Sequence, residues 1–269
     1  MTPTSTDIYY HIEHIQKPNA VFCSIYELLK DDCITYFHSH TATPKELEAA
    51  SKKDIIFEID LAWASNLFID NKNIRINQPY IGHPEKFYTE MKREFPVENV
   101  SLEQFKIFLK NNPSIKVLLD IKDQTVLIYL EEFIKEIGSH RCIVHAFIKD
   151  WTILPKEEAP EPHWTQEDIE LAKLGAILDQ LNVPLIANCR GFSDQHVKEN
   201  KLIQKIIDDA RKYKSIVCLG LYYPKAPIPE IDYLQAINAA GFHAWVNAND
   251  PQFQEKTCNI RYIAMQDKI

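Results

Sequence analysis

Residues 54–63 read DIIFEIDLAW, and this stretch decides the fold. Its isoleucines, Phe57 and Leu61 make a strand. Side chains along a strand alternate between faces, so Glu58 and Asp60 share one face while Phe57, Ile59 and Leu61 share the other. Residues 115–123, IKVLLDIKD, repeat the design, an apolar run that ends with Asp120 and Lys122 on one face. Working outward, further strand-length runs lie at 33–38, 77–83, 141–147, 184–189, 215–221 and 242–248. Several are apolar nearly throughout, as expected of strands covered on both faces.

Amphipathic stretches separate these runs. TPKELEAASKK opens with Thr43 as N-cap, Pro44 at the first helical position and Glu46 three residues after the cap. SLEQFKIFLKNN repeats the arrangement with Ser101 and Gln104. QTVLIYLEEFIKEIG, TQEDIELAKLGAILDQLN, NKLIQKIIDDARKYK and PEIDYLQAINAAG follow. Eight strands with helices between most of them predict an α/β fold, a single-domain (β/α)8 TIM barrel. An open doubly wound sheet is the competing architecture, and it more often shows a glycine-rich first turn. The barrel domain is expected to span 33–269, with 1–32, including the helical SIYELLK, packing on it as an N-terminal extension. LPKEEAPEPHW, 154–164, is expected to form a long surface loop after the fifth strand.

The chain has 269 residues, 45% of them hydrophobic, which suits a folded domain of barrel size and excludes a disordered chain. A net charge of −8 without a basic stripe argues against nucleic-acid binding. With only 6 glycines and no GxxxxGK or GxGxxG run, a glycine-rich phosphate cradle is not expected. No segment reaches the roughly 18–20 apolar residues that span a bilayer, which leaves peripheral membrane contact open. The start, MTPTSTDIYYHIEH, lacks a hydrophobic signal core, and the six cysteines form no CxxC pair. Cytoplasmic residence in a reducing compartment is expected, with export by another route left open.

The functional residues of such a barrel stand at the C-terminal ends of its strands. Glu58 and Asp60 pointing inward repel one another unless a cation lies between them. A hard divalent ion such as Mg2+ or Ca2+ takes oxygen ligands of this kind, and rim salt bridges to Lys or Arg are the alternative. Asp120 supplies a third carboxylate, and Lys122 a point charge for an anionic substrate oxygen, or the two simply pair with each other. YFHSHT places His38 and His40 on one face at the end of the first strand, and YIGHPE ends the third with His83. Two such histidines flanking a metal-bound phosphate make a workable acid–base pair. His145 and the remaining histidines lack that context and are expected to be structural or exposed.

Together these residues resemble the phospholipase-C-like TIM-barrel phosphodiesterases: glycerophosphodiester phosphodiesterases, sphingomyelinase D enzymes and menorin-like proteins. The matching elements are Glu58-Ile-Asp60, His83-Pro84, Asp120-Ile-Lys122 and Trp245-Val-Asn247 on the last predicted strand. The resemblance implies a phosphoric diester hydrolase or phospholipase D-like lyase acting on a glycerophosphodiester or (lyso)phospholipid. It also implies Mg2+ or Ca2+ on Glu58, Asp60 and Asp120, phosphate contact by Lys122, and His83 with a first-strand histidine, His40 rather than His38, as catalysts. Trp245 would line the substrate cavity beside Asn247. The chain lacks the His-Arg-Gly and Glu-Asn of glycerophosphodiesterases, and Asp-x-Lys in place of Glu-x-Lys points toward the other two branches. Two further readings remain open. The His-x-His of YFHSHT also opens the histidine-rich metal sites of amidohydrolases and PHP phosphoesterases. A barrel without turnover, with LYYPKAPIP (221–229) as a contact surface, would be a binding module.

Overall fold

The computed structural model describes residues 25–69, 72–90, 93, 95, 98–151, 167–190, 201–222, 231–247 and 260–267. Its strands are β1 (Cys33–His38), β2 (Ile56–Ile69), β3 (Lys72–Ile81), β4 (Lys116–Ile121), β5 (Cys142–Phe147), β6 (Leu185–Arg190), β7 (Ile216–Tyr222), β8 (His243–Asn247) and β9 (Tyr262–Asp267). They follow the order β1-β9-β8-β7-β6-β5-β4-β2, and β1 pairs with β2 to close the ring. All eight pairings around the ring are parallel. The helices are α1 (Ile25–Leu28), α2 (Pro44–Ser51), α3 (Glu85–Glu90), α4 (Leu102–Asn111), α5 (Leu127–Ile137), α6 (Leu171–Leu181), α7 (Leu202–Ala210) and α8 (Ile231–Ala239). The architecture is a closed (β/α)8 barrel, as expected. Among the described residues no helix is long and apolar enough to cross a membrane.

Two strand assignments change. Residues 77–83 do not supply a barrel strand. Residues 77–81 form the end of β3 and 82–83 follow it; β3 runs antiparallel to β2 from Leu61 opposite Ile81 to Ile69 opposite Lys72. A parallel neighbour needs a crossover of a dozen or more residues, and β3 begins too soon after β2 for that. The eighth barrel strand is instead β9, which lies between β8 and β1. Asp120 and Lys122 therefore belong to the third barrel strand, and Trp245-Val-Asn247 to the seventh rather than the last. The expected helix from Thr165 is also shorter, since α6 begins at Leu171. Residues 154–164 and most of 221–229 lie outside the described residues.

Three apolar clusters hold these elements. The largest fills the space between the ring and its helices, with Phe57, Ile59 and Leu61 facing Phe105, Leu109 and Leu130. The second is the barrel interior, formed by Ile34, Tyr36, Ile56, Leu118, Ile143, Ile186, Cys218, Trp245 and Ile263. Ile25 of α1 joins that interior cluster, so the described part of the N-terminal extension packs on the barrel. The third, with Ala62, Tyr80, Phe87 and Tyr88, ties the β2–β3 ribbon to α3. Each large side chain so buried contributes roughly 1.5–3 kcal/mol. Cys142, Cys189 and Cys218 are buried free thiols.

Candidate active site

Glu58 and Asp60 point into the barrel with Ile56, and the parallel register sets Asp60 opposite Asp120 and Asp120 opposite His145. Paired residues of parallel strands point to the same side, so these three all project inward, above the apolar interior cluster. Lys122 leaves β4 two residues after Asp120. Its backbone N–H donates to Leu61 O at 3.0 Å, which keeps it at the mouth of β2. Glu58, Asp60, Asp120, Lys122 and His145 are all buried.

Two loops bring the histidines to this mouth. After β1, Glu46 accepts from the backbone N–H of Thr43 at 2.8 Å, and Thr43 Oγ1 accepts from Glu46 N at 3.3 Å. The same carboxylate accepts from Thr41 Oγ1 at 3.0 Å and from Ser39 Oγ at 3.2 Å. The capping box of α2 thus shapes the loop that presents His40 as well as stabilising the helix. After β3, Gly82 N donates to Asp60 O at 3.0 Å, folding the chain back over the end of β2. Gly82 has φ +144°, and a Cβ there would lie 2.6 Å from the Tyr88 hydroxyl. That hydroxyl accepts from His83 N at 3.0 Å, and the Tyr80 hydroxyl donates to His83 O. Asn99 ties the two loops together, accepting from Ala42 N at 3.0 Å and donating to Ile81 O at 3.1 Å.

Both histidines converge on one carboxylate. His40 Nδ1 lies 2.8 Å and His83 Nε2 3.5 Å from Asp60 Oδ2, with the ring centroids 4.5 Å apart. Asp60 Oδ1 pairs with Lys122 Nζ at 3.0 Å, and Lys122 reaches Asp120 Oδ2 at 2.5 Å. His38, the other first-strand histidine, sits beside Glu58, with Nε2 3.7 Å from Oε2. Among the described residues, potential metal donors gather within 4.8 Å in two groups, His40/Asp60/His83 and Glu58/Asp120/His145. The expected set Glu58/Asp60/Asp120 is therefore divided between a mouth and a deeper layer.

The electrostatics follow the geometry. Burial pushes the Glu58 carboxyl well up, and Asp120 and Asp60 beside it add to the effect. For Asp60 burial works the same way, but Lys122 and His40 outweigh it and hold the carboxyl well below its ordinary range. Asp120 is likewise opposed by burial, yet His145 and Lys122 bring it to about 2. Lys122 loses hydration, and the carboxylates of Asp120, Asp60 and Glu58 more than restore its charge. His83 is pushed down to about 3, mainly by burial, with Asp60 pulling the other way.

His145, expected to be structural or exposed, stands in the polar layer beside Asp120. It is buried, and its Nδ1 lies 3.1 Å from Asp120 Oδ1. Its Nε2 lies 2.7 Å from Asn188 Nδ2, also buried, on β6. Trp245 lies parallel to the His145 ring at 7°, with centroids 6.1 Å apart, and donates its indole N–H to the Tyr36 hydroxyl at 2.9 Å. Trp245 thus floors the polar layer. Asn247 closes β8 two residues after it, and its side chain lies outside the described residues. The signal for His145 was parity: it stands two residues after Ile143 on a strand whose inward face the apolar pattern already marks.

No protein-family model and no curated protein matches the chain. Among solved structures it is similar to a glycerophosphodiester phosphodiesterase from Parabacteroides distasonis at 13% identity and TM-score 0.48, covering 88% of this chain and 93% of that one. A glycerophosphoryl diester phosphodiesterase from the same organism aligns at 11% identity and TM-score 0.46, covering 90% and 88%. An HpcH/HpaI aldolase from Desulfitobacterium hafniense aligns at 7% identity and TM-score 0.47, covering 92% and 91%.

Proposed function

We propose that the chain is a metal-dependent phosphodiesterase of small-molecule or lipid phosphodiesters, of the glycerophosphodiester or (lyso)phospholipid kind. The observation that carries this reading is the convergence of His40 and His83 on Asp60 beside a layer of buried carboxylates. Glu58 Oε2 and Asp120 Oδ1 are buried and make no hydrogen bond, which suits a cation and is costly without one. Glu58 and Asp120 are the oxygen donors that would hold a divalent ion such as Mg2+ or Ca2+, with Asp60 beside them paired to Lys122 and His40. Such an ion, when bound, polarises a phosphodiester oxygen.

The protein's own groups divide the proton work. Burial holds the His83 ring neutral at pH 7, so it is free to take the proton of the attacking hydroxyl, whether water or a hydroxyl of the substrate. His40 is exposed and held at Nδ1 by Asp60, which orients the ring with Nε2 toward the open mouth. From Nε2 it gives a proton to the leaving alkoxide. Lys122, kept charged by its carboxylate neighbours, offsets negative charge that develops on the phosphoryl oxygens. Trp245 and Asn247 would bound the substrate from β8.

The test is 31P NMR of glycerophosphocholine, lysophosphatidylcholine and sphingomyelin incubated with the protein and Mg2+ or Ca2+. Turnover is expected on at least one of them, falling about 10²- to 10⁴-fold in His83→Ala and in His40→Ala. No turnover on any substrate, or full turnover in both variants, overturns the reading. Binding without turnover leaves the barrel as a binding module.

A further inference from the structure

We infer that His145 is itself a ligand of the divalent cation, through Nδ1 beside Glu58 Oε2 and Asp120 Oδ1, and that the centre therefore prefers a first-row transition ion to Mg2+ or Ca2+. This deepens the proposed function and rests on that reading for the presence of a cation. Glu58, Asp120 and His145 come from three adjacent barrel strands, β2, β4 and β5, and their donor atoms lie within 4.8 Å of one another. Each residue is more than nine-tenths buried, at 1%, 3% and 4% exposure. Glu58 Oε2 makes no hydrogen bond, and Asp120 Oδ1 and His145 Nδ1 face each other beside it at 3.1 Å. Three buried ligand atoms gathered this closely, one of them without a hydrogen bond, suit a cation between them.

The mouth group competes poorly. Asp60 is already engaged by Lys122 at 3.0 Å and by His40 at 2.8 Å, and displacing either group would be needed to bring an ion there. The deep group has no such occupant, because Lys122 binds Asp120 through Oδ2 and leaves Oδ1 to face His145. Imidazole and carboxylate together suit Mn2+, Fe2+, Co2+ or Zn2+, whereas Mg2+ and Ca2+ favour oxygen alone.

Asn188 supplies the support that a metal-bound histidine needs at its other nitrogen. With Nδ2 at 2.7 Å the amide donates to Nε2, so the ring proton sits on Nδ1. A half-turn of the amide presents Oδ1 to an Nε2–H instead and leaves the Nδ1 lone pair for the ion. Gly220 leaves room for this side chain, since a Cβ there would lie 1.7 Å from Asn188 Oδ1. Asn188 is thus a positioning residue for His145.

The experiment is pulsed electron paramagnetic resonance of the protein loaded with Mn2+ alone. A nitrogen modulation from a directly bound imidazole is expected. It should change to the 15N pattern when the protein is made with 15N-histidine, a measurement that needs no variant. The modulation should persist in a His40→Gln, His83→Gln double variant and vanish in His145→Gln. Titration should show Mn2+ binding loosened at least about tenfold by His145→Gln, and by about tenfold in Asn188→Leu, with Mg2+ binding changed much less. No histidine nitrogen on Mn2+ in the wild type, or a modulation that survives His145→Gln, overturns the inference. A histidine coupling without turnover of any phosphodiester rejects the proposed activity and leaves His145 as a ligand. Turnover with Mg2+ and no coupling does the reverse.

Discussion

The lower and upper halves of the barrel interior stand on the same strands, only two residues apart, and obey different rules. Below, Ile56, Leu118, Ile143 and Ile186 pack with Cys218, Trp245 and Ile263 in an apolar plug. Above, the same strands carry Glu58 and Asp60, Asp120, His145 and Asn188, all buried. The lower layer needs only shape and volume. The upper layer holds acids that must be paired, protonated or bound to a cation, so its stability depends on solution conditions. One pleat of a strand separates a region built for folding from a region built for chemistry.

The sharpest way to break that contrast is to remove one side chain from each layer. Lys122 is the counter-ion of both Asp60 and Asp120, so Lys122→Met leaves two buried carboxylates facing each other. A loss of about 3–5 kcal/mol at pH 7 is expected, smaller at low pH as the carboxylates accept protons. Leu118→Ala, one layer down, should cost about 3 kcal/mol by loss of packing, alike at every pH. Urea unfolding of both variants between pH 5 and 8 checks this. Parallel pH profiles for the two would show that the upper layer is not electrostatically distinct.

How much of the contrast was legible beforehand depends on whether its cause was local. The parity of Glu58 with Asp60 and of Asp120 with Lys122 is a property of a single strand, and the structure keeps it. Thr43 with Glu46 and Ser101 with Gln104 form their capping boxes within four residues, and both are present. What failed was pairing between distant segments. Residues 77–83 have a strand's composition, but whether such a run enters the ring or folds back on β2 is decided by its partner. β9 escaped notice because its short run, YIAMQD, gains its place only by lying between β8 and β1. His145, alone among apolar neighbours, has the pattern of a core histidine. Its meaning comes from the register that sets it opposite Asp120, which no local pattern contains.

A smaller perturbation sharpens the upper layer's geometry without touching its charges. Gly220 on β7 faces Asn188, and a Cβ there would meet Asn188 Oδ1 at 1.7 Å and Trp245 Cβ at 2.9 Å. Gly220→Ala must displace the amide or the strand, at a cost of about 1–3 kcal/mol. Ala at Gly241, where a Cβ meets nothing within 4 Å but φ is +101°, isolates backbone strain from crowding. Thermal unfolding should show Gly220→Ala the more harmful, and a crystal structure should show Asn188 moved away from His145. An unmoved amide would mean that the room left by Gly220 is not what positions it.

The smallest effect, and the one of opposite sign, comes from Glu58→Gln. Because burial beside Asp120 and Asp60 raises the Glu58 carboxyl, the folded chain keeps that proton to a higher pH than the unfolded chain does. Its stabilising contribution is complete below the unfolded value of about 4.3 and fades as pH rises through the folded value. Asp120 behaves inversely. Its carboxyl is held at about 2, so its contribution is present above about 3.9 and is lost as the solution is acidified toward the folded value. Gln keeps the shape of Glu58 and never ionises, so the metal-free variant should be more stable than wild type at neutral and alkaline pH, by about 1 kcal/mol. The difference should close on the acid side, where Glu58 is protonated anyway. Added divalent ion should reverse the order, stabilising the wild type by mass action and leaving the variant nearly unmoved. Melting temperatures across pH 4 to 9, with and without Mn2+, separate the two effects. If Glu58→Gln were destabilising in the metal-free protein at pH 8, Glu58 would be a settled structural acid, and the upper layer would be built for folding like the layer beneath it.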